Sequence, residues 1–223
     1  NVCMILTRMM NFFDHFEAVW APRLGPRSHT FRAMFDFLAK KKPQGHLILE
    51  TGCAREADNF EGDGQSTCMF DRFVDEYSGE CHTVDISEAA CKFSRSVVGA
   101  RTRVHNEDSV PFLRRMAGEL LKERRSIDLL YLDSFDWDPE NPVPSALHHL
   151  KELCAISPAL GGGTLVVVDD SFHSLRGFLN AEKNYVLLED QGISGKARYV
   201  AQYFQQISIP LAFDGYQCGW LVP

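Results

Sequence analysis

Short apolar runs alternate with helical patterns along most of this chain, and that alternation constrains its fold more than any other feature. Five apolar runs predict strands, and between them apolar residues recur at every third or fourth position, as on one face of a helix. Strands separated by helices of this length form right-handed β-α-β units and a mainly parallel sheet covered on both faces. The predicted strands span residues 46–50, 81–85, 102–106, 127–133 and 163–169, and the predicted helices span residues 65–78, 87–98, 108–124 and 143–156.

Two further helices are predicted before the first strand. Apolar stripes span residues 7–20 and 28–41, and Ser28 is expected to be the N-cap of the second helix. We assign residues 1–45 to an N-terminal helical extension or lid. Apolar helices of this kind suit a cover over a ligand or a contact between two copies in a homodimer.

The C-terminal part of the chain predicts a strand pair. A helical pattern at residues 195–206 is followed by two short strands at 209–215 and 217–222. Strands joined by so few residues can only be antiparallel neighbours. The main domain, residues 46–223, is therefore predicted to have an α/β fold: a Rossmann-like, doubly wound, seven-stranded sheet, mainly parallel, with an antiparallel C-terminal pair.

The composition excludes several kinds of partner. The formal net charge is -7, whereas nucleic-acid binding needs a concentrated basic face, so we expect no nucleic-acid partner. No run reaches the roughly 18 apolar residues of a transmembrane helix, and we expect no membrane partner. The seven cysteines form no C-x-x-C pair, which is typical of reduced thiols and predicts a cytoplasmic protein.

The first predicted strand ends on Glu50 and continues into a glycine-containing turn. Gly52, Gly62 and Gly64 would let the backbone approach a ligand closely, and the helix that begins near Ser66 would direct free N–H groups towards an anion. A long connecting loop without a ligand is the alternative, because a glycine-rich loop alone is a weak signal.

Acidic and amide side chains follow the next two strands. Asp85 ends the second strand, where a carboxylate can accept hydrogen bonds from both hydroxyls of a ribose; alternatively it begins the next helix ahead of Ser87. The third strand ends at Asn106, and the following Asp108 or Ser109 could bind an adenine edge or cap a helix.

Together these positions resemble the class I S-adenosylmethionine-dependent methyltransferases, and the resemblance covers roughly residues 46–222. A compact NAD-type G-x-G-x-x-G turn is absent from the sequence. The first motif also departs from the family's compact form, since eleven residues, 53–63, separate Gly52 from Gly64. We expect this loop to cover the methionine end of the cofactor. The resemblance implies that S-adenosylmethionine binds Glu50, Thr51, Gly52, Cys53, Gly64, Gln65, Ser66, Thr67, Asp85, Ile86, Asp108, Ser109 and Asp133.

Aspartates also end the fourth and fifth predicted strands. If both strands are central, Asp133, Asp169 and Asp170 converge and would repel one another without a cation; their oxygens suit Mg²⁺ or another divalent ion. Alternatively, each aspartate ends a strand and caps the helix that follows. The arrangement resembles the metal-dependent O-methyltransferases of the catechol and macrocin groups, which implies that these three residues are the metal ligands.

That resemblance also implies the reaction, methyl transfer to a hydroxyl of a small-molecule acceptor. The catechol enzymes have a lysine three residues after the first aspartate, where this chain has Asp136. The candidate catalytic groups are therefore His173, His148 and His149, together with Asp133 as a metal ligand. A metal-independent methyltransferase and a cofactor-binding module without activity are the alternative interpretations.

Overall fold

The structure, a computed structural model, describes residues 10–60, 62–179, 181–182 and 185–223; for residues 174–179 and 185–191 only the backbone is described. The helices are α1 (Phe12–His15), α2 (Ser28–Lys41), α3 (Ser66–Glu76), α4 (Glu88–Val97), α5 (Ser109–Glu123), α6 (Val143–Ile156) and α7 (Arg198–Gln206). The strands are β1 (Leu47–Thr51), β2 (Glu80–Asp85), β3 (Thr102–Asn106), β4 (Leu129–Leu132), β5 (Thr164–Val168), β6 (Ser171–Leu179), β7 (Tyr185–Gly195), β8 (Leu211–Phe213) and β9 (Cys218–Val222).

Seven of these strands form one sheet in the order β3-β2-β1-β4-β5-β9-β8. The first five are parallel, whereas β9 is antiparallel to β5 and β8 is antiparallel to β9. This confirms the predicted Rossmann-like α/β fold with its antiparallel C-terminal pair. The strand order changes direction beside β1, and in open sheets of this kind ligands bind outside the carboxyl ends of the strands at that point.

Apolar side chains cover the sheet on both faces. On one face, the N-terminal helices and α3 pack an aromatic cluster against β1, β4 and β5; this cluster includes Phe12, Phe31, Phe35, Phe70 and Tyr131. On the other face, α5, α6 and α7 pack against the same strands through residues such as Phe112, Leu153 and Phe204. Both clusters are buried, and each fully buried large side chain contributes about 1.5–3 kcal/mol of transfer free energy.

The N-terminal segment differs from the predicted pair of continuous helices. After α1 the chain forms a π-helical turn at Phe16–Trp20 and then two short 3-10 turns, which begin at Ala21 and Gly25 and each contain a proline. Ser28 is the first helical residue of α2 rather than its N-cap, because the preceding residue, Arg27, already has helical backbone angles. The predicted helical residues 7–9 lie outside the described residues.

The antiparallel hairpin of β6 and β7 was not predicted from the sequence. Its register shifts between His173 and Leu175 and again between Arg176 and Gly177. Such irregularities interrupt the two-residue alternation by which a half-buried strand is recognised. Within the described ranges, no helix is both long and apolar enough to cross a membrane.

Candidate active site

Glu50, the last predicted residue of the first strand, lies inside the protein. It is fully buried, and its carboxylate accepts hydrogen bonds from Ser66 Oγ at 2.6 Å and Thr67 Oγ1 at 2.8 Å. Burial raises the pKa of Glu50 to about 7, although these hydrogen bonds oppose the shift. Glu50 therefore ties the beginning of α3 to the end of β1.

Gly52 allows the ends of three strands to meet. Its φ is +80°, and a Cβ at this position would stand 2.5 Å from the carbonyl oxygen of Asp133. Its N–H donates to the Val84 carbonyl at 2.8 Å, and the Asp133 N–H donates to the Thr51 carbonyl at 3.0 Å. Only glycine suits both the left-handed backbone and this close approach. The ends of β1, β2 and β4 are thereby held together.

Asp85 lies next to this turn and is fixed by two backbone groups. Its Oδ2 accepts from Cys53 N–H at 3.2 Å, and its Oδ1 accepts from Ser87 N–H at 2.7 Å. Each carboxylate oxygen has two lone pairs, so both keep acceptor capacity for a further donor. Ser87, rather than Asp85, is the N-cap of α4, and the Asp85 carboxylate remains able to bind a diol.

Two cavities adjoin along the carboxyl edge of the sheet, and both are bordered by Asp85 and Ser134. The first measures about 290 Å³ and is lined largely by polar groups: Gly52, Cys53, Arg55, Asp63, Ser66, Asp85, Ser87, Asp133, Ser134 and Asp136. The second measures about 300 Å³ and has an apolar part: Val84, Asp85, Ile86, Asp108, Ser109, Ser134, Phe135 and His148. We refer to them as the acidic recess and the apolar recess.

Most of the predicted cofactor residues lie in or under these recesses. Gly52, Cys53, Ser66, Asp85 and Asp133 border the acidic recess, and Asp85, Ile86, Asp108 and Ser109 border the apolar recess. Asp108 also caps α5, because its Oδ1 accepts from Val110 N–H at 2.9 Å. Glu50, Thr51 and Thr67 are buried below the recesses. Gly64 lies against the side chain of Arg27, and the Gln65 amide donates to the Glu56 carbonyl at 2.8 Å.

The described residues of the 53–63 loop fold back beside the acidic recess. The Ala54 N–H donates to Thr67 Oγ1 at 2.9 Å, and the Arg55 N–H donates to Asp63 Oδ2 at 2.8 Å. From this loop the Arg55 side chain reaches Asp136, which follows β4, with Nη1 at 3.0 Å from Oδ2. The sequence motifs did not single out Arg55. That the loop covers a methionine chain stays a prediction.

Asp133, Asp169 and Asp170 come together as the sequence predicted, but a lysine lies among them. Their candidate ligand oxygens are within 4.8 Å of one another. Lys196 is buried, and its Nζ contacts Asp133 Oδ1 and lies 2.9 Å from Asp170 Oδ2. Burial alone would lower the pKa of Lys196, but these carboxylates outweigh it and raise that pKa, so the ammonium is charged.

A second cation approaches the same cluster from the N-terminal helices. The buried Arg27 has Nε 3.5 Å from Asp169 Oδ2 and Nη2 3.4 Å from Asp170 Oδ1. The same Nη2 donates to the Tyr216 hydroxyl at 3.1 Å. Two buried cations, Arg27 and Lys196, thus offset most of the charge of the three aspartates.

This donor set does not fit a divalent ion while Lys196 occupies it. The oxygens of Asp133 and Asp170 that face each other are held by the ammonium group. In the described part of the chain, the one oxygen of the three carboxylates that is buried without a hydrogen-bond partner is Asp169 Oδ1. Because Mg²⁺ demands octahedral coordination by oxygen, a single free buried oxygen is a poor site for it.

The three candidate histidines lie in different environments. His149 is fully buried, with Nδ1 2.7 Å from the Ser145 carbonyl, and burial lowers its pKa to about 4. His148 borders the apolar recess, 3.0 Å from Ser109 Oγ, and its hydrogen bond with the buried Glu152 raises its pKa. Neither geometry brings an imidazole to the acidic recess beside Asp133.

His173 faces away from the two recesses. Its Nδ1 lies 2.9 Å from Asp214 Oδ2, and it borders a separate cavity of about 540 Å³ near α7 and Trp220. Its neighbour Phe172 instead packs edge to face on Trp137, with ring centroids 5.1 Å apart. Because adjacent strand residues point in opposite directions, His173 points away from the Trp137 side.

Sequence and fold comparisons add little detail to this geometry. No protein-family model and no curated protein matches the sequence. The fold is similar to that of the N-methyltransferase NodS from Bradyrhizobium japonicum WM9, with 11% identity, a TM-score of 0.49 and coverage of 89% of this chain and 98% of that chain. It is also similar to DhpI in complex with SAH, with 10% identity, a TM-score of 0.46 and coverage of 94% and 91%.

Part of the fold also resembles a different class of enzyme. A short-chain dehydrogenase/reductase from Saccharomyces cerevisiae matches with 18% identity, a TM-score of 0.38 and coverage of 52% of this chain and 49% of that chain. Likenesses this distant do not assign an activity.

Proposed function

We propose that this protein is an S-adenosylmethionine-dependent methyltransferase acting on a small molecule. The observation that carries the proposal is the position of Asp85, a carboxylate with free acceptor capacity at the junction of an apolar and an acidic recess. Adenosine fits this arrangement of recesses, with its ribose hydroxyls bound to Asp85 and its adenine in the apolar recess between Ile86 and Phe135. Both apolar side chains are exposed, 76% and 45% respectively, and thus free to stack on a base.

Charge supports this cofactor over a dinucleotide. Of the residues that the structure describes, four carboxylates border the acidic recess, those of Asp63, Asp85, Asp133 and Asp136, against one guanidinium group. The sulfonium and ammonium groups of S-adenosylmethionine are cationic and are attracted to such a lining. The pyrophosphate of NAD would place negative charge beside the same carboxylates and be repelled.

We assign to Asp133 the role of the base that accepts the proton of the methyl acceptor's hydroxyl. It borders the acidic recess, and Lys196 holds its side chain in place. In the proposed reaction, the acceptor oxygen forms a bond to the methyl carbon, the sulfur–methyl bond breaks, and its electron pair stays on sulfur. The hydroxyl proton passes to the Asp133 carboxylate. The chain contributes alignment and fixed charge, which are established sources of rate acceleration.

Lys196 favours the metal-independent form of this reaction. Its ammonium group contacts the two carboxylates between which the predicted ion would bind, and Arg27 contacts the third. Protein cations thus already stabilise the aspartate cluster that seemed to require a metal. We therefore prefer a methyltransferase without a divalent ion over the magnesium enzyme that the sequence predicts.

Calorimetric titration with S-adenosylhomocysteine tests the cofactor assignment. Asp85→Asn replaces one acceptor oxygen by a donor, and we expect an affinity at least about tenfold lower, the usual scale of a lost hydrogen bond to a charged group. Asp138→Asn is the matched control, because Asp138 also accepts from the N–H two residues later, at 2.9 Å, and lies outside both recesses. No binding by the folded wild type, or equal effects of both substitutions, would refute the assignment.

A further inference from the structure

Among the described side chains that border the acidic recess, Arg55 is the one cation. Its guanidinium group spans from the loop of residues 53–63 to the loop after β4, with Nη1 3.0 and 3.2 Å from the two carboxylate oxygens of Asp136. The Arg55 Nε lies 3.8 Å from Asp63 Oδ1. The guanidinium therefore lies at the edge of the recess with carboxylates on two sides.

The two carboxylates hold Arg55 with different strength. Asp63 is buried and also accepts from the Arg55 backbone N–H, so it fixes the direction in which the side chain leaves the loop. The side chain of Asp136 is 73% exposed. Exposed ion pairs contribute only about 0–1 kcal/mol. The contact with Asp136 can therefore be exchanged for another carboxylate at little cost.

We propose that Arg55 binds the carboxylate of the methionine part of S-adenosylmethionine, displacing Asp136; this inference rests on the proposed function. The amino-acid end of S-adenosylmethionine is a zwitterion. Its ammonium group is attracted to the surrounding aspartates, and its carboxylate needs a cation. The other nearby cations, Lys196 and Arg27, are buried against the aspartate cluster. A guanidinium group can bind a carboxylate through two parallel hydrogen bonds, whereas the contact with Asp136 uses Nη1 alone.

The test compares two ligands that differ at this end. S-adenosylhomocysteine carries the amino-acid carboxylate, whereas 5′-methylthioadenosine lacks it. We expect Arg55→Gln to weaken S-adenosylhomocysteine binding about tenfold or more and to leave 5′-methylthioadenosine binding unchanged, both measured by calorimetry. Asp136→Asn should strengthen S-adenosylhomocysteine binding, because it removes the competing carboxylate.

The control substitution is Arg23→Gln. Arg23 also pairs with an aspartate of the same loop, Asp58, at 3.2 Å, but does not border the recess. Equal losses for both ligands in Arg55→Gln would show that Arg55 only shapes the loop, and unchanged affinities would show no role; either result overturns the inference. If 5′-methylthioadenosine binding still depends on Asp85, the proposed function survives that failure. If the wild type binds neither ligand, both proposals fall.

Discussion

Lys196 and Arg27 change how the neighbouring aspartates are interpreted, from metal ligands to partners of protein cations. From the sequence, Asp133, Asp169 and Asp170 look like a set of metal ligands, because three converging carboxylates repel one another. In the fold, Lys196 follows Gly195, whose left-handed backbone lets the end of β7 pack against Asp170. The lysine side chain is thereby brought into the cluster from a distant part of the chain.

A manganese titration tests this account of Lys196. We expect the wild type to leave the electron paramagnetic resonance signal of free Mn²⁺ unchanged, because the ammonium holds the oxygens of Asp133 and Asp170. Lys196→Met frees those oxygens to bind Mn²⁺ and should lower the signal of free Mn²⁺. The double variant Lys196→Met with Asp169→Asn should restore that signal. Lys122→Met, at an exposed lysine of α5, is the control. Binding of Mn²⁺ by the wild type that Asp169→Asn abolishes would contradict the account.

Side chains at strand ends could be predicted from the sequence, because each strand is a short apolar run and the strand ends where that run stops. Glu50, Asp85 and Asp133 are found in this way, and all three lie at the carboxyl edge. The sequence could not show that Glu50 is buried rather than facing a ligand, since that depends on where Ser66 and Thr67 point. Arg55 and Lys196 carry no periodic signal at all, because one lies on a loop and the other joins a hairpin to a helix.

Helix α6 shapes the crevice through one of its faces. Its buried Glu152 accepts from Ser134 Oγ at 2.6 Å, and Ser134 borders both recesses. His148, one turn earlier on α6, lies 3.4 Å from the same Glu152 oxygen. His149 is buried one position further on. His148 therefore supports the loop after β4 through Glu152, and we assign neither histidine as the base.

The stability of the fold should depend on the protonation of His149. Burial lowers its pKa to about 4 from an ordinary value of 6.5, so as pH falls the unfolded chain takes up this proton first and the native state loses stability. The loss begins below pH 6.5 and is complete below pH 4, at about 3 kcal/mol for a shift of this size. His82 on β2, whose pKa burial also lowers to about 4, should add to the slope.

Urea denaturation between pH 7 and pH 5 measures this effect. We expect His149→Asn to be less stable than the wild type at pH 7 but to lose less stability as the pH is lowered. The same substitution at the exposed His29 should leave the pH dependence unchanged. An unaltered slope in His149→Asn would show that this imidazole does not remain neutral in the folded protein.

The strands and helices differ in how far the sequence could locate them. The helices α3 to α6 and the strands β1 to β5 lie within a few residues of their predicted bounds, because each has a regular apolar period. The bulged hairpin of β6 and β7 lacks such a period and was missed. Near the N-terminus, the predicted stripe at residues 7–20 is interrupted because α1 passes into a π-helical turn at Phe16, although Phe12, Phe16 and Trp20 are buried as a stripe requires.

The site joins distant parts of the chain at one edge of the sheet. The turn after β1, the end of β2 and the loop after β4 form the recesses, while the N-terminal Arg27 and the C-terminal Lys196 stabilise the aspartate cluster next to them. The N-terminal helices thus supply a charged group to the site as well as an apolar layer. Their predicted roles as a lid or a homodimer contact, and the cytoplasmic location, stay predictions.

A crystal structure of the protein with S-adenosylhomocysteine would show directly whether Asp85 binds the cofactor. We predict ribose hydroxyls within hydrogen-bond distance of the Asp85 carboxylate, adenine in the apolar recess against Ile86, and the amino-acid chain in the acidic recess. An ordered ligand elsewhere, such as in the cavity bordered by His173 and Trp220, or a ribose that makes no contact with Asp85, would contradict it.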